Sequence, residues 1–303
     1  TGGHSGTAIS NTDYNPTTSK TNSLGETIYT GLAGFRKIDD VSIVCAPNEN
    51  DISTLRDTIV SHCEELKDRF AILQTGINDA NNINALRPDR ESKYAALYFP
   101  WLKVSDPLTN SYKLIPPGGH IAGIYARCDQ ERGVHKAPAN EVLRGVVALQ
   151  VNVNREQQGK LNRGGVNGIR TFPGRGHVVW GARTISTDPE WKYVNVRRLF
   201  IYLEESIEKS TQWVVFEPNN ENLWSRVRAT ISQFLTRVWR DGALMGTTPE
   251  EAFFVKCDRS TMTQDDIDKG RLIVLVGVAP LKPAEFMIFK ISQILTSVEV
   301  MEM

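Results

Sequence analysis

The histidines and cysteines are the side chains of this sequence whose chemistry could serve a catalytic or metal site. A metal site needs such residues at short, regular spacings, and none of them shows the spacing of a metal-ligand pair. His62 adjoins Cys63 on a predicted helix, but consecutive helical residues point in different directions, so they do not form a nucleophile and its base. The sequence therefore predicts no metal, no cofactor, and thiols that are reduced and buried. The residues concerned are His4, His62, His120, His135, His177, Cys45, Cys63, Cys128 and Cys257.

His120 is the most site-like of the histidines. It follows Pro116-Pro117-Gly118-Gly119, whose glycine N–H groups could face an oxyanion. No serine nucleophile elbow accompanies it, so a structural turn is the simpler interpretation. The alternative hypothesis is an α/β enzyme with a site near His120, His135 and His177. That hypothesis requires at least two of these histidines to converge with a carboxylate in one pocket.

The chain carries no sign of a nucleotide or nucleic-acid site. The turn after the apolar run 41–46 is Pro47-Asn48-Glu49-Asn50, which lacks glycine and has a carboxylate where a phosphate would bind. Lys plus Arg and Asp plus Glu both number 35, so no net charge attracts polyanions. Neither a membrane-length apolar run nor a signal peptide occurs. We expect synthesis in the cytoplasm, no nucleic-acid partner, no direct membrane insertion, and a neutral surface that favours self-association.

A basic stripe is the most informative charged feature. Its members lie within about one sixth of a turn of one another on a predicted helix, which advances about 100° per residue. They are Arg226, Gln233, Arg237 and Arg240. The stripe flanks the apolar face and is either a solvated helix edge or a contact for an acidic partner. The same two interpretations apply to Arg183, Arg197 and Arg198.

The first half of the chain has an α/β pattern. Val41–Ala46 and Phe70–Leu73 are short apolar runs typical of buried strands. Between them lies a helical apolar period that Asp51 or Ser53 can cap. A strand, a helix and a strand with short links predict a right-handed parallel unit, and Tyr94–Phe99 predicts a further strand.

Residues 155–177 are rich in glycine and turns, and we interpret them as a connector between two differently built halves. Two amphipathic helices follow, one near 196–207 and one near 223–238 with Asn219 or Asn220 as its cap. Further strands are predicted at Phe253–Cys257, Leu272–Ala279, Phe286–Ile291 and Ile294–Met303. Thr263 and the acidic residues after it predict a helix N-terminus and not a calcium loop.

Several long motifs together resemble one protein family, the contractile phage tail sheath family. The likeness covers about residues 30–292, and it is greatest to the sheaths of phage-tail-like injection systems of the antifeeding-prophage type. The motifs include Tyr98-Phe99-Pro100-Trp101, Val179-Trp180-Gly181-Ala182-Arg183-Thr184, Asp188-Pro189-Glu190-Trp191-Lys192-Tyr193-Val194-Asn195-Val196-Arg197-Arg198, Trp239-Arg240-Asp241-Gly242-Ala243-Leu244 and Lys282-Pro283-Ala284-Glu285-Phe286.

The resemblance and the element pattern together predict a mixed α/β (α+β) fold. A parallel-type βαβ core would precede a C-terminal sheath domain of two helices and a β-sheet with an extended arm. The predicted divisions are residues 1–25 as a flexible segment or N-terminal remnant, 26–176 as the α/β sheath domain, 177–292 as the C-terminal sheath core domain, and 293–303 as the C-terminal arm.

The resemblance implies a structural role and not catalysis. Sheath subunits stack in rings around an inner tube and are held extended by a baseplate. They then slide into a shorter, wider lattice that drives the tube through a target membrane. The implied partners are other copies of this chain, the inner tube protein, and the baseplate and tail terminator proteins of a phage tail or tail-like particle.

In this family, terminal arms add strands to sheets of neighbouring subunits. The alternating C-terminal segments suit such a linkage between subunits. The residues assigned to it are Phe286, Ile288, Lys290, Ile294, Thr296, Val298 and Val300. The family also contacts its tube through a C-terminal-domain helix, and placement and charge assign that contact to the basic stripe. The hydrophobic start of a complete sheath subunit does not precede Thr1, so we expect the N-terminal arm to be missing.

Overall fold

The computed structural model of the chain describes residues 9–14, 19–21, 23–25 and 27–285. Its strands are β1 (Ser19–Thr21), β2 (Thr27–Tyr29), β3 (Ile43–Val44), β4 (Phe70–Gln74), β5 (Ala95–Phe99), β6 (Leu102–Asp106), β7 (Ser111–Ile115), β8 (Glu141–Val142), β9 (Val146–Leu149), β10 (Val166–Phe172), β11 (Gly176–Val179), β12 (Phe253–Lys256) and β13 (Leu275–Val278). Its α-helices are α1 (Asn11–Tyr14), α2 (Gly31–Phe35), α3 (Leu55–Leu66), α4 (Gly118–Arg132), α5 (Arg155–Arg163), α6 (Val194–Thr211), α7 (Glu221–Arg240), α8 (Pro249–Ala252) and α9 (Gln264–Asp268), with 3-10 helices at Ile77–Ala85 and Gln212–Val214.

A six-stranded mixed sheet forms the centre of the first half, in the order β3-β4-β5-β10-β11-β8. The first four of these strands run parallel, and β11 and β8 are antiparallel to their neighbours. The predicted strand–helix–strand unit is confirmed, because α3 connects β3 to the parallel β4. The mixed α/β fold class is confirmed as well. A three-stranded antiparallel sheet, β7-β6-β9, contacts the larger sheet through β9.

The adjacent interior strands β4 and β5 are buried along their whole length. Parallel strands that are covered on both faces need apolar residues at nearly every position, as their sequences supply. The Tyr98 hydroxyl of β5 lies 2.7 Å from the Tyr125 hydroxyl of α4, so each of these buried groups satisfies the other. The core of the first half is therefore this sheet with α3 and α4 packed against it.

The start of α3 differs from the prediction. Neither Asp51 nor Ser53 is the N-cap, which is Thr54 with a φ of 64° and no side-chain capping bond. The Thr54 hydroxyl instead accepts a hydrogen bond from Asn11 Nδ2 at 2.8 Å. A contact across 43 positions of sequence thus occupies the side chain that local sequence rules would have used as a cap.

Part of the segment 1–25 forms secondary structure, since α1 and β1 lie within it and β1 pairs with β2; its assignment as a flexible segment or N-terminal remnant stays a prediction. Tyr14 packs against the apolar core of the first half, and its hydroxyl donates to Asn48 Oδ1 at 3.0 Å. The composition of this segment could not reveal these contacts, because they are made with residues more than 30 positions away.

The interpretation of residues 155–177 as a connector is wrong. The segment contains α5 and β10, and β10 lies inside the six-stranded sheet. A Cβ on Gly168 would overlap Gln158 Oε1, so this glycine allows close packing of α5 on β10. Gly174 and Gly176 have φ values of 72° and 81°, as a tight hairpin requires. The predicted boundary after residue 176 falls within that hairpin, and the division into two domains stays a prediction.

The second half is organised around α6 and α7. Val194 and Ile201 of α6 belong to the core of the first half, whereas Leu199 and Leu203 belong to a second apolar cluster with α7, β12 and β13. Both helices confirm the predicted periodicity. Of the two predicted caps, Asn219 and Asn220, it is Asn220 that caps α7 by accepting the Leu223 N–H at 3.0 Å. The predicted helix start at Thr263 is also confirmed, because its hydroxyl accepts the Asp266 N–H.

Among the helices that the structure describes, none combines the length and the apolar content that crossing a membrane requires.

Glu49 is a carboxyl group buried after β3. Its Oε1 accepts the Gln74 N–H at 2.7 Å and lies 3.5 Å from Arg56 Nε, while Oε2 has no hydrogen-bond partner among the described residues. Burial raises the pKa of Glu49 from its ordinary 4.5 to about 7, although the contacts with Gln74 and Arg56 act in the opposite direction. Folding therefore favours the protonated form, and Glu49 costs stability progressively as pH rises from about 4.5 to about 7.

The variant Glu49→Gln is expected to lose this pH dependence. The rise in the pKa of Glu49 corresponds to about 3 kcal/mol of unfolding free energy. The parent chain loses this stability between about pH 4.5 and pH 7, whereas the stability of the variant should not change over that range. Urea unfolding of the unassembled chain at pH 4.5, 6 and 8 measures the difference. Glu190→Gln, at an exposed carboxyl, is the control and should follow the parent chain. An identical pH profile for Glu49→Gln and the parent would contradict the prediction.

Candidate assembly surfaces

The predicted strand-linkage residues lie outside the described residues and stay predictions. They are Phe286, Ile288, Lys290, Ile294, Thr296, Val298 and Val300. The described part of the chain reaches Glu285, which directly precedes them. The surroundings of Glu285 therefore show how the last described residue before this segment is held.

Glu285 is held by side chains from separate parts of the chain. Arg183 donates from Nε to Oε1 and from Nη2 to Oε2, both at 2.6 Å. Asn162 Nδ2 donates to Oε1 at 2.7 Å, and the Tyr193 hydroxyl donates to Oε2 at 3.2 Å. Lys192 Nζ lies 3.5 Å from Oε2. We call these five residues the exit clamp, because they fix the chain immediately before residues 286–303.

The exit clamp is a strong contact for electrostatic reasons. The side chains of Arg183 and Glu285 are only 12% and 15% exposed, so water screens their charges weakly. Burial by itself would raise the pKa of Glu285, but the hydrogen bonds and charge of Arg183, with smaller contributions from Lys192 and Tyr193, lower it below its ordinary 4.5. Two parallel charge-assisted bonds also fix the geometry of both side chains.

The backbone brings the members of the exit clamp together. Arg183 and Tyr193 face each other in an antiparallel bridge before α6, and Arg183 Nη1 donates to the Asn162 carbonyl at 2.7 Å. After β13 the chain returns towards the first half, where Asn195 Nδ2 donates to the Leu281 carbonyl at 3.2 Å. The sequence pattern did not predict an ion-pair role for Glu285. The only signal was its place in the motif 282–286, next to the alternating C-terminal segment.

Within the part of the chain that the structure describes, the small sheet of the second half has open edges. It consists of β12 and β13, which pair antiparallel from Phe253↔Val278 to Lys256↔Leu275, and neither strand has another strand partner among the described residues. Phe254 and Leu275 are half exposed. A two-stranded sheet is marginal by itself, and its unpaired N–H and C=O groups can accept a further strand.

The basic stripe lies on the exposed face of α7. Arg226 stacks on Trp213, with its guanidinium carbon 4.4 Å from the ring centroid, and lies 3.9 Å from Glu217. Gln233, Arg237 and Arg240 are exposed, and no described residue forms a hydrogen bond or ion pair with their side chains. The buried face of α7 uses a different set of positions, Leu223, Trp224, Val227, Ile231, Leu235 and Val238. Three of the four stripe residues are therefore unpaired among the described residues, and contact with a tube protein stays a prediction.

Arg197 and Arg198 were predicted to be either a solvated helix edge or a contact for an acidic partner. Both predictions are wrong, because the two side chains are only 2% and 6% exposed. Arg197 Nη2 lies 2.8 Å from Glu204 Oε2, and its guanidinium covers the ring of Trp191. Arg198 donates to both carboxylate oxygens of Asp129 at 2.9 and 2.5 Å. Both buried arginines are thus paired within the chain, Arg197 with the half-exposed Glu204 and Arg198 with Asp129, and the second pair joins α6 to α4.

The three histidines of the alternative hypothesis have separate surroundings. His135 lines a cleft of about 540 Å³ between α4, α6 and the end of α7, and the other two are not among its lining residues. The His177 ring hydrogen-bonds Thr171 at 2.9 Å on the β10–β11 hairpin, whereas His120 contacts the Arg144 backbone. Burial lowers the pKa of both His120 and His135. Within the described ranges, no group of three or more His, Cys, Asp or Glu residues is arranged to hold a metal ion.

Sequence comparison assigns this architecture to a family. The family model for the phage tail sheath protein central domain matches residues 13–185, and that for the phage tail sheath C-terminal domain matches residues 186–294. The chain belongs to the phage tail sheath family. The family resemblance drawn from the motifs is thus confirmed. The matches to the two family models meet just before α6, the helix that contributes to both apolar clusters of this sheath chain.

Solved structures of tail-like injection systems share the fold of this sheath chain. A chain of the anti-feeding prophage baseplate is 39% identical, with a TM-score of 0.73, covering 91% of this chain and 75% of that one. A chain from the sheath complex of an extracellular contractile injection system, PVC, in its contracted state is 38% identical, with a TM-score of 0.76, covering 89% and 77%.

Curated relatives of this sheath chain come from bacteriophages. The tail sheath protein of Vibrio phage KVP40 is 27% identical over 223 residues, which are 70% of this chain and 32% of that protein. The tail sheath protein of Salmonella phage ViI is 25% identical over 236 residues, 76% and 36% of the two chains. The sheath chain thus spans about a third of the length of these relatives.

Proposed function

We propose that this chain is a structural subunit of a contractile tail sheath, which polymerises around an inner tube and contracts to drive the tube through a target membrane. The observation that carries the proposal is the 38% identity, over 89% of this chain, to the sheath complex of a contractile injection system in its contracted state. The match to both sheath domains of the family supports it.

The open sheet of β12 and β13 supports a linkage by strand addition. An arm from a neighbouring subunit would satisfy the unpaired backbone groups at either edge and cover Phe254 or Leu275. Such a linkage joins subunits through flexible chain and survives a change of lattice. Contraction then needs no cofactor, since the work comes from the difference in contact free energy between the two packed states.

The proposed partners are other copies of this chain, the inner tube protein, and the baseplate and tail terminator proteins. Cytoplasmic synthesis before assembly is part of the proposal. It is supported by four free cysteines, of which Cys63, Cys128 and Cys257 are buried, as is usual for proteins that fold in a reducing compartment.

Electron microscopy of the full-length protein tests the proposal. We expect hollow, transversely striated cylinders, with the tube protein inside when the two are produced together. Deletion of residues 293–303 should abolish the cylinders and leave a folded subunit. The matched control replaces residues 293–303 with a glycine–serine linker of the same length, which keeps the chain length but not the strand-forming sequence. This variant should also fail to assemble. Persistent monomers of the full-length protein would contradict the proposed function, and normal cylinders from the deletion would contradict the strand linkage alone.

Reversing the charge of the basic stripe should weaken assembly on the tube. The triple variant Arg226→Glu, Arg237→Glu and Arg240→Glu is expected to slow tube-templated polymerisation by about tenfold or more at low salt, because like charges then oppose the encounter. Light scattering against salt concentration measures the rate. The control reverses Lys67, Lys103 and Arg163, exposed bases outside α7 that form no ion pair with a described residue. An unchanged yield of tube-filled sheaths would make the stripe an ordinary solvated surface.

A further inference from the structure

Four arginines near the β10–β11 hairpin form no ion pair with any described residue. They are Arg144, Arg155, Arg170 and Arg175. Arg170 Nε donates to the Val153 carbonyl at 3.1 Å, and Arg175 Nη2 donates to Asn140 Oδ1 at 2.6 Å, so both have only neutral acceptors. We call these four residues the basic hairpin surface.

The fold gathers these arginines from the β8–β9 connection, the start of α5, strand β10 and the β10–β11 turn. Arg175 lies in the hairpin turn, next to the pair Phe172↔Gly176. The Leu143 N–H donates to the His177 carbonyl at 2.8 Å, which brings the adjacent Arg144 to the same turn. The bond from Arg170 Nε to the Val153 carbonyl, at 3.1 Å, brings Arg170 to the start of α5, where Arg155 follows Val153 by two residues. Burial and the positive charge of Arg155 lower the pKa of Arg170.

Aromatic rings hold the surface in place. The guanidinium carbons of Arg170 and Arg175 lie 5.1 and 5.8 Å from the ring centroid of Phe172, whose own ring is 4.7 Å from that of Trp180. Stacking orders the two guanidinium groups without neutralising them. Because the side chains are already ordered, a carboxylate that binds them costs less conformational entropy than it would on free surface arginines.

The charge balance of the whole chain indicates the partner. The chain has 35 basic and 35 acidic residues, so a local excess of four positive charges is balanced by an acidic excess elsewhere on the same chain. In a polymer of identical subunits, one surface of each copy meets a different surface of the next, and opposite local charges then attract. A nucleic-acid partner is less suited to a chain with no net charge.

We propose that the basic hairpin surface binds a carboxylate-rich surface on a second copy of this chain. This inference rests on the proposed function, since it requires polymerisation. The surface is separate from the exit clamp, from the open edges of β12 and β13, and from the basic stripe on α7. It would set the orientation of neighbouring copies, whereas strand addition would hold them together.

Zero-length carbodiimide cross-linking tests the proposal directly. In the full-length Arg175→Lys protein, the new amine can couple to a carboxylate that it touches. Sheaths assembled from a mixture of ¹⁴N- and ¹⁵N-labelled copies should yield peptides that join position 175 to an Asp or Glu of a differently labelled copy. The same variant before assembly should yield none. Links only within one copy, links only to the tube protein, or no link in assembled sheaths would each overturn the proposal.

Charge reversal supplies a second, independent measurement. Arg144→Glu combined with Arg175→Glu should lower the yield of sheaths by about tenfold or more, while its thermal unfolding stays like that of the parent, because both side chains are exposed. Arg259→Glu, at an exposed arginine of the second half, is the matched control and should assemble normally. Full assembly of the double variant would overturn the inference but not the proposed function. Failure of the parent itself to polymerise would overturn both.

Discussion

Replacement of Arg183 with alanine is expected to lower the free energy of unfolding by about 3 kcal/mol. The change removes both charge-assisted bonds to Glu285 and the bond from Nη1 to the Asn162 carbonyl. It also leaves the Glu285 carboxylate, 15% exposed, without its main partner. Urea unfolding of the unassembled chain at pH 7 measures the loss. Arg183→Lys keeps the charge but not the parallel geometry, so it should recover only part of the stability.

A double-mutant cycle with Glu285→Gln separates the pairing from other effects. The coupling between the two positions should be about 1–3 kcal/mol, as is usual for residues in one ion-pair network. The Thr187→Ala variant, which removes a hydroxyl bonded to Glu91 and not to the clamp, is the control. A coupling near zero would mean that the exit clamp does not stabilise the fold.

The exit clamp should also weaken in acid. The pKa of Glu285 in the folded chain lies below its ordinary 4.5, so its contribution is fully present above about pH 4.5 and is lost as pH falls through the folded-state value. The difference in stability between the parent and Arg183→Ala should therefore shrink below pH 4.5. In assembled sheaths, Arg183→Ala removes the main contact of Glu285, which directly precedes the predicted strand-linkage residues. We therefore expect shorter or irregular cylinders from this variant.

Replacement of Arg198 with alanine is expected to cost about 3–5 kcal/mol, a larger effect than that of any surface substitution. Arg198 is 6% exposed, makes two bonds to Asp129, and lies 4.7 Å above the Tyr125 ring. Its removal leaves the Asp129 carboxylate, 29% exposed beside the cleft, without the ion pair that it forms among the described residues. Because the pair joins α6 to α4, hydrogen exchange should rise in both helices and not only at the substituted position.

The matched control removes both charges. A double variant, Arg198→Met with Asp129→Asn, keeps most of the side-chain volume and buries no unpaired charge, so it should recover much of the lost stability. Recovery would show that the cost of the single change comes mainly from the uncompensated carboxylate. A single variant that loses less than about 1 kcal/mol would contradict the importance of this pair, since that is the effect of an exposed ion pair.

The sequence alone determined the elements with strong local patterns and the family. The apolar periods of α6 and α7, the buried runs of β4 and β5, and the cap at Asn220 were all predictable, because each depends on residues a few positions apart. The dense motifs identified the sheath family for the same reason, since they are read directly along the chain.

Only the tertiary structure decided what the arginines do. Arg198 pairs with Asp129 across 69 positions of sequence, and Arg183 pairs with Glu285 across 102. Periodicity could place these arginines on an element but could not say which carboxylate the fold would bring to them. The glycines of residues 155–177 misled in the same way, because a glycine that permits close packing inside a sheet has the same sequence signal as one in a loop. Interactions between residues close in sequence determine where the helices and strands form. Contacts between distant residues determine whether a charged side chain lies in the core, in the exit clamp or on the exposed surface.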